Sequence, residues 1–197
     1  MLYQAKSDIT SNLIIAKIIS CAHFFLILLK TKLMSITIRL ATIEDMPSVL
    51  EIVNYEILNT TAIWDYDVRT LEQQVTILKE KQEKDFPFIV ALKEDKIVGF
   101  GTYGTFRYKI GYRFTVEHSV YVHKDFHGNG IGSTLLKELI ELAKKQKLHT
   151  MIGVIDSENH GSIGFHQKMG FEIAGHIKQT GFKFDRWLDS VFVQILL

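Results

Sequence analysis

The stretch TVEHSVYVHKDFHGNGIG, residues 115–132, constrains the fold more than any other part of the sequence. Residues 115–123 are mostly β-branched and aromatic, which predicts a strand. A helix follows to about residue 147, with an apolar face formed by Leu135, Leu136, Leu139, Ile140 and Ala143. Between them stand Gly128, Gly130 and Gly132. This order suits a bound pyrophosphate, because the amides of a first helical turn point outward.

Two other nucleotide loops fit this stretch poorly. A dinucleotide fingerprint requires Gly or Ala at position 133, where the chain has Ser133, and an acidic residue about 20 positions further on. A phosphate loop of the Walker type requires Gly-Lys-Ser/Thr, which does not occur here. A glycine-rich turn without any ligand remains the alternative.

The remaining pattern predicts a mixed sheet. Besides the strand and helix of this stretch, apolar periodicity predicts six further strands and three further helices. The strands are at 36–40, 88–92, 96–105, 151–155, 171–174 and 187–196, and the helices start at 42, span 70–84 and span 159–169. Hairpin connections dominate early and crossovers late. The expected class is therefore α/β or α+β.

Composition excludes several classes of function. The chain has 197 residues with a net charge of +1, which gives no electrostatic case for nucleic-acid binding. Its single cysteine, Cys21, excludes an intramolecular disulfide and favours a reducing compartment such as the cytoplasm. No metal site is expected, because His118 and His123 are five apart on a strand and face opposite ways.

Residues 1–33 differ from the rest of the chain. Fourteen of the 17 residues in Leu13–Leu29 are apolar, and Lys17 and His23 interrupt the run. Three interpretations stay open: a membrane anchor, a helix that packs on the domain, or a dispensable extension. We therefore expect an extension at 1–33 and a domain at 34–197, with membrane association only if residues 13–29 are an anchor.

The glycine loop resembles that of the GNAT superfamily of acetyl-CoA-dependent N-acetyltransferases. His127 stands where that family has Arg or Gln, and Asn159, His166 and Gly170-Phe171 follow at the family's spacing. The segments 115–122, 165–171 and 181–189 look like the phosphinothricin acetyltransferase group, which acetylates the α-amine of phosphinothricin, methionine sulfoximine and methionine sulfone. The resemblance covers residues 34–197. It implies acetyl-CoA as co-substrate, a small amino-acid acceptor, a homodimer, and a mixed, mostly antiparallel sheet flanked by helices.

The resemblance also implies roles for individual residues. Glu117 would be the general base, and His166, where many members have tyrosine, would act near the leaving thiolate. The coenzyme would contact the strand backbone and the loop, at Val120, Tyr121, Val122, His127, Gly128, Asn129, Gly130, Ile131, Gly132 and Asn159. The residues alone allow other interpretations: an exposed glutamate, a hydrogen-bonded helix histidine, and a helix cap at Asn159.

The acceptor is expected beside the basic and aromatic stretch Phe106–Arg113. An arginine there can hold a carboxylate bidentately, and either Arg107 or Arg113 is suitable. Tyr112 matches a tyrosine of the family's substrate pocket. Two other functions remain open: a relative that acetylates a polyamine or a peptide amine, and a membrane-tethered protein that binds acyl-CoA without turnover.

Overall fold

The computed structural model describes residues 36–197. Within this range the chain forms seven strands and four α-helices, in the order β1 (Thr37–Leu40), α1 (Met46–Asn59), α2 (Leu71–Glu83), β2 (Phe88–Lys93), β3 (Lys96–Thr105), β4 (Thr115–Val122), α3 (Ile131–Lys145), β5 (Thr150–Asp156), α4 (His160–Lys168), β6 (Glu172–Lys183) and β7 (Arg186–Leu196). The predicted extension at 1–33 lies outside the described residues.

All seven strands belong to one sheet with the order β1-β2-β3-β4-β5-β7-β6. Every neighbouring pair is antiparallel except β4 and β5, which are parallel. This parallel pairing is short, because it joins Thr115–Glu117 to Thr150–Ile152 and ends there. The expected mixed, mostly antiparallel sheet is confirmed.

Helices cover both faces of the sheet, because successive residues of a strand point to opposite sides. Phe100 of β3 packs into the core cluster that α1 forms with Val49 and Val53. The next residue, Gly101, faces α3, where a Cβ would lie 3.1 Å from Leu139 Cδ1. The expectation of helices flanking the sheet is therefore confirmed.

Two element boundaries differ from the sequence prediction by more than two residues. The segment predicted to start a helix at Thr42 begins as a 3-10 turn, and α1 starts at Met46 with Pro47 in its first turn. The strand predicted at 171–174 continues to Lys183 as the edge strand β6. Its residues are mostly exposed and include Gly175 and Gly181, so alternation of apolar and polar residues gave no signal there.

None of the helices in residues 36–197 has the length and hydropathy that a membrane crossing requires.

Candidate active site

A cleft opens where β4 and β5 separate. Beyond Glu117 the two strands no longer pair, while β3 still pairs with β4 as far as Val122. The β5-side edge of Val120, Tyr121 and Val122 therefore borders a cleft of about 840 Å³, which also touches the glycine loop. We call this space the glycine-loop cleft. Backbone groups along such an open strand edge are available to a ligand.

The glycine loop turns the chain from β4 into α3. Gly128 and Gly130 have φ values of +78° and +75°, which side chains rarely tolerate. Gly130 is the N-cap of α3 and has no side chain that could cap the helix. The first-turn amides of α3 therefore point toward the cleft as donors, and they fit a pyrophosphate.

The side chains of the other predicted loop residues stabilise the conformation of the loop. His127 donates from Nε2 to the Val122 carbonyl at 2.8 Å, and Asn129 donates to the Phe126 carbonyl at 3.1 Å. The Ile131 side chain is buried, so its backbone is the part that faces the cleft. A Cβ at Gly132 would lie at an ordinary contact distance of 3.6 Å from Phe165.

Glu117 separates two smaller cavities. One, the histidine cavity, has a volume of about 280 Å³ and includes His118 and His166 in its lining. The other, the lysine cavity, has a volume of about 290 Å³ and includes Lys81 and Lys84. Burial raises the pKa of Glu117, while the charges of Arg107 and Lys81 lower it in part. A carboxylate with a raised pKa is a better base than an exposed one.

His118 and His166 meet at the point where β4 and β5 diverge. Their Nε2 atoms are 3.0 Å apart, and both side chains are buried. His118 Nδ1 lies 2.8 Å from the Ile152 carbonyl, and His166 Nδ1 lies 2.7 Å from the Ser162 carbonyl. Both ring nitrogens of His166 are thus already engaged, as the hydrogen-bonded interpretation expected.

The start of α4 borders the same space. The Asn159 side chain accepts a hydrogen bond from the Ser162 amide at 2.9 Å and caps the helix, as one interpretation expected. Asn159 and His166 also line both the glycine-loop cleft and the histidine cavity. The two spaces are therefore neighbours across one wall.

The structure distinguishes between the two candidate arginines. Both guanidinium groups stack over a neighbouring ring, Arg107 over Phe106 at 4.2 Å and Arg113 over Phe114 at 4.4 Å. The charge of Arg107 also lowers the pKa of Glu117, and that of Arg113 is not among the causes of the shift. Tyr112 packs edge-on against Phe106 at 5.9 Å and is 43% exposed. Arg107 is thus the candidate nearer to the base.

Lys183, on β6, stabilises the loop that forms one wall of the histidine cavity. The Lys183 ammonium donates to the carbonyls of Ile57, Thr60 and Ile63 at 2.7, 2.8 and 2.5 Å. In the same region Trp64 lies directly on Gly181, where a Cβ would come within 2.3 Å of its ring. These contacts join the β6–β7 hairpin to the loop that carries Trp64, which lines the cavity.

Sequence reasoning missed Lys81, His118 as the partner of His166, and Gly153, on which the His118 ring packs. It placed Lys183 only within the recognisable segment 181–189, without these contacts. No local motif marks these roles, because each residue acts with residues distant in the chain. The position of His118 next to Glu117 was the one available signal. Among residues 36–197, no three His, Cys, Asp or Glu side chains are arranged to hold a metal ion.

Comparison with known families agrees with this geometry. The model of the acetyltransferase (GNAT) domain matches residues 38–192, which is most of the chain. The chain belongs to the GNAT acetyltransferase family. It is therefore an acyltransferase, and acetyl-CoA is its co-substrate.

Three GNAT relatives illustrate the similarity. The L-methionine sulfoximine/L-methionine sulfone acetyltransferase of Pseudomonas aeruginosa is 43% identical over 165 residues, which cover 83% of this chain and 96% of that protein. A phosphinothricin acetyltransferase from Sinorhizobium meliloti, solved with acetyl-CoA, has a TM-score of 0.80 and 34% identity, covering 82% and 88%. A ribosomal-protein-alanine N-acetyltransferase from Brucella melitensis has a TM-score of 0.81 and 44% identity, covering 82% and 99%.

Proposed function

We propose that this GNAT enzyme transfers the acetyl group of acetyl-CoA to the α-amine of a small amino-acid analogue, namely methionine sulfone, methionine sulfoximine or phosphinothricin. The observation that carries the proposal is Glu117, which lies between the histidine cavity, itself next to the glycine-loop cleft, and the lysine cavity. The names of the methionine sulfone and phosphinothricin relatives support this acceptor class.

Acetyl-CoA binds, in this proposal, along the glycine-loop cleft. The amides at the start of α3 hold the pyrophosphate, and the open edge of Val120, Tyr121 and Val122 holds the pantetheine arm. Residues 127–132 and Asn159 complete the contacts. The positive φ values of Gly128 and Gly130 support this assignment, because the loop conformation excludes most side chains.

The chemistry needs a neutral amine and a stabilised leaving group. Glu117 takes one proton from the acceptor ammonium, and the neutral nitrogen attacks the thioester carbon. A C–N bond forms, the C–S bond breaks, and the second proton of the nitrogen passes to water. Coenzyme A leaves as a thiolate next to His166. The raised pKa of Glu117 supports this role, since the carboxylate is then a stronger base.

The acceptor carboxylate binds to Arg107 in this proposal, with Lys81 and Tyr112 nearby. Arg107 and Lys81 both lower the pKa of Glu117, so both charges are close to the base. An amino acid whose amine is at Glu117 can therefore place its carboxylate on these cations. A polyamine would instead meet the charges of Arg107, Lys81 and Lys84, with Glu80 as the one acid besides Glu117 in the lining of the lysine cavity.

The test is the release of coenzyme A thiol with a panel of acceptors. We expect the highest kcat/KM for methionine sulfone and methionine sulfoximine. The amine that lacks only the carboxylate of methionine sulfone should react about 10²-fold more slowly or worse. Faster reaction of spermidine or of a peptide beginning with alanine would overturn the amino-acid assignment, and absence of turnover with every acceptor would favour a binding protein.

We further propose that the enzyme is a cytoplasmic homodimer. The hairpin formed by β6 and β7 exposes five large apolar side chains: Ile173, Ile177, Phe182, Phe184 and Trp187. Such a patch is typical of a protein interface. Sedimentation equilibrium checks this directly, and a monomer at micromolar concentration would contradict it.

Acetylation of a toxic glutamate or methionine analogue would also give resistance in this proposal, since it removes the charge of the α-amine. Cells that express the enzyme should grow in methionine sulfoximine concentrations that stop control cells. Equal sensitivity would contradict this role.

A further inference from the structure

The contacts of His118 and His166 require more protons than two neutral rings possess. Each Nδ1 faces a carbonyl oxygen, at 2.8 and 2.7 Å, and a carbonyl can only accept. Each Nδ1 must therefore carry a proton. A neutral imidazole has one N–H group, so both Nε2 atoms would then present lone pairs to each other across 3.0 Å. A third proton between them satisfies all three contacts.

The surroundings decide how many protons the pair can hold. Burial lowers the pKa of both rings, and the charge of His166 lowers that of His118 further, so a second added proton is excluded and the hydrogen-bond geometry must hold the single shared proton against burial. The other ionisable groups that line the same cavity are Glu117, Tyr121 and Asp156. Burial raises the pKa of Tyr121 to about 12, so it stays neutral, and Asp156 is paired with Arg186 at 3.3 Å. Ser162, also on α4, places its carbonyl and hydroxyl oxygens next to His166 Nδ1. The Phe171 ring stacks on His118, with the ring centroids 5.3 Å apart.

We propose that His118 and His166 share one proton between their Nε2 atoms, and that this charge stabilises the thiolate that leaves during acetyl transfer. This inference rests on the proposed function. His166 borders both the glycine-loop cleft and the histidine cavity, so it is the member that faces the sulfur. One proton of the amine still goes to Glu117 and the second passes to water, the C–S electron pair stays on sulfur, and the histidine pair keeps its proton. His118 is a positioning residue that holds the charge on His166.

Gly153 makes the pair possible. The His118 ring fills the space where β4 and β5 diverge, and a Cβ at Gly153 would lie 2.6 Å from its Cε1. Gly153→Ala therefore displaces the ring without removing either histidine. Gly175→Ala is the matched control, because nothing lies within 4 Å of a Cβ at that position. His118→Phe removes the nitrogens but retains an aromatic ring against Phe171, and it serves if Gly153→Ala fails to fold.

The first measurement is nitrogen NMR of histidine in the free full-length protein across a pH titration. In wild type we expect the ring nitrogens of His118 and His166 to shift together in one step, with a shared N–H signal on the acidic side of that step. In Gly153→Ala and His118→Phe we expect His166 to titrate alone. Two neutral, independent rings from about pH 6 to 8 in wild type would overturn the proposal.

The second measurement is the pH profile of kcat. Wild type should show a bell-shaped profile, because activity needs unprotonated Glu117 and a protonated histidine pair. The profile requires the shared hydrogen bonds to hold the pKa of the pair above the raised pKa of Glu117, although burial lowers the pKa of each ring. Gly153→Ala and His118→Phe should lose the fall at high pH and have a kcat about 10²-fold lower, with acetyl-CoA affinity unchanged. Retention of the wild-type profile would refute the role of the pair. The NMR result needs no acceptor, so failure of the shared proton and failure of the proposed acceptor can be told apart.

Discussion

The glycine loop, residues 127–132, and the lysine cavity on the other side of Glu117 are built from the chain in different ways. The loop is one continuous segment whose backbone supplies its donors. The cavity collects Lys81 from α2, Gly104 from β3 and Tyr108 from the following loop. A site made of neighbouring backbone groups leaves a local motif in the sequence, whereas a site made of converging side chains does not. Four substitutions or deletions test whether the two regions also act independently.

The largest effect on turnover is expected at Glu117, which lies between the two regions. Glu117→Gln should lower kcat by about 10²- to 10⁴-fold, because it removes the general base. The deficit should shrink at high pH, where more of the acceptor amine is already neutral. Wild-type kcat/KM should rise with pH through the raised pKa of Glu117, since the base must be unprotonated.

Steady-state kinetics from about pH 6 to 9 and a titration of acetyl-CoA check this prediction. Glu83→Gln, at the exposed end of α2, is the control and should behave as wild type. A wild-type kcat at every pH would remove Glu117 from the mechanism.

The second effect should be confined to the acceptor side. Arg107→Met should lower kcat/KM for methionine sulfone about 10- to 100-fold, because a charge-assisted hydrogen bond contributes about 1.5–3 kcal/mol. The amine without a carboxylate should lose little, since it never makes that bond. Arg113→Met is the matched control and should leave kcat/KM for both acceptors close to the wild-type values. Equal losses in the two variants would mean that the exposed loop as a whole matters, rather than one guanidinium.

The third effect should be confined to the coenzyme side. Gly130→Val places a branched side chain at a φ of +75°, which costs about 1–2 kcal/mol and should weaken acetyl-CoA binding about 10-fold or more. Gly132→Ala should be milder, because a Cβ there makes only ordinary contacts. Calorimetric titration with acetyl-CoA compares the two. Wild-type affinity in a folded Gly130→Val protein would argue against the loop as the pyrophosphate site.

The smallest effect is expected from the segment outside both regions. Removal of residues 1–33 should leave kcat and acetyl-CoA affinity within about twofold of the full chain, because the matched family domain begins at residue 38. Activity assays on the shortened protein check this. An insoluble or inactive product would show that the segment belongs to the working domain.

The same difference between local pattern and long-range contact appears in the fold, where the glycine loop and edge strand β6 were predicted with unequal success. Strand β4, the loop and α3 were predicted because apolar periodicity and glycines occur in one short stretch. Edge strand β6 was predicted too short, because most of its residues are exposed and its pairing with β7 is irregular between Ile177 and Gly181. Pairing between strands, rather than local pattern, defines that element.

The histidine pair shows the same limit within the site. His118 and His166 are 48 positions apart, and their contact depends on where the pairing of β4 and β5 ends. The sequence predicted both strands but not that point. Lys81 was missed for a related reason, since an exposed helical lysine and one that approaches a buried carboxylate look alike in sequence.

The contacts of Lys183 have a consequence for the order in which the protein is completed during synthesis. A ribosome makes the glycine loop, α3 and α4 before residue 170, whereas Lys183 emerges later. The loop that carries Trp64 is made much earlier, yet its carbonyls at Thr60 and Ile63 lack their ammonium partner until the hairpin folds. A nascent chain can therefore have its coenzyme loop in place while one wall of the cavity is still loose. Chaperones and proteases would meet that wall as the last unfinished part of the molecule.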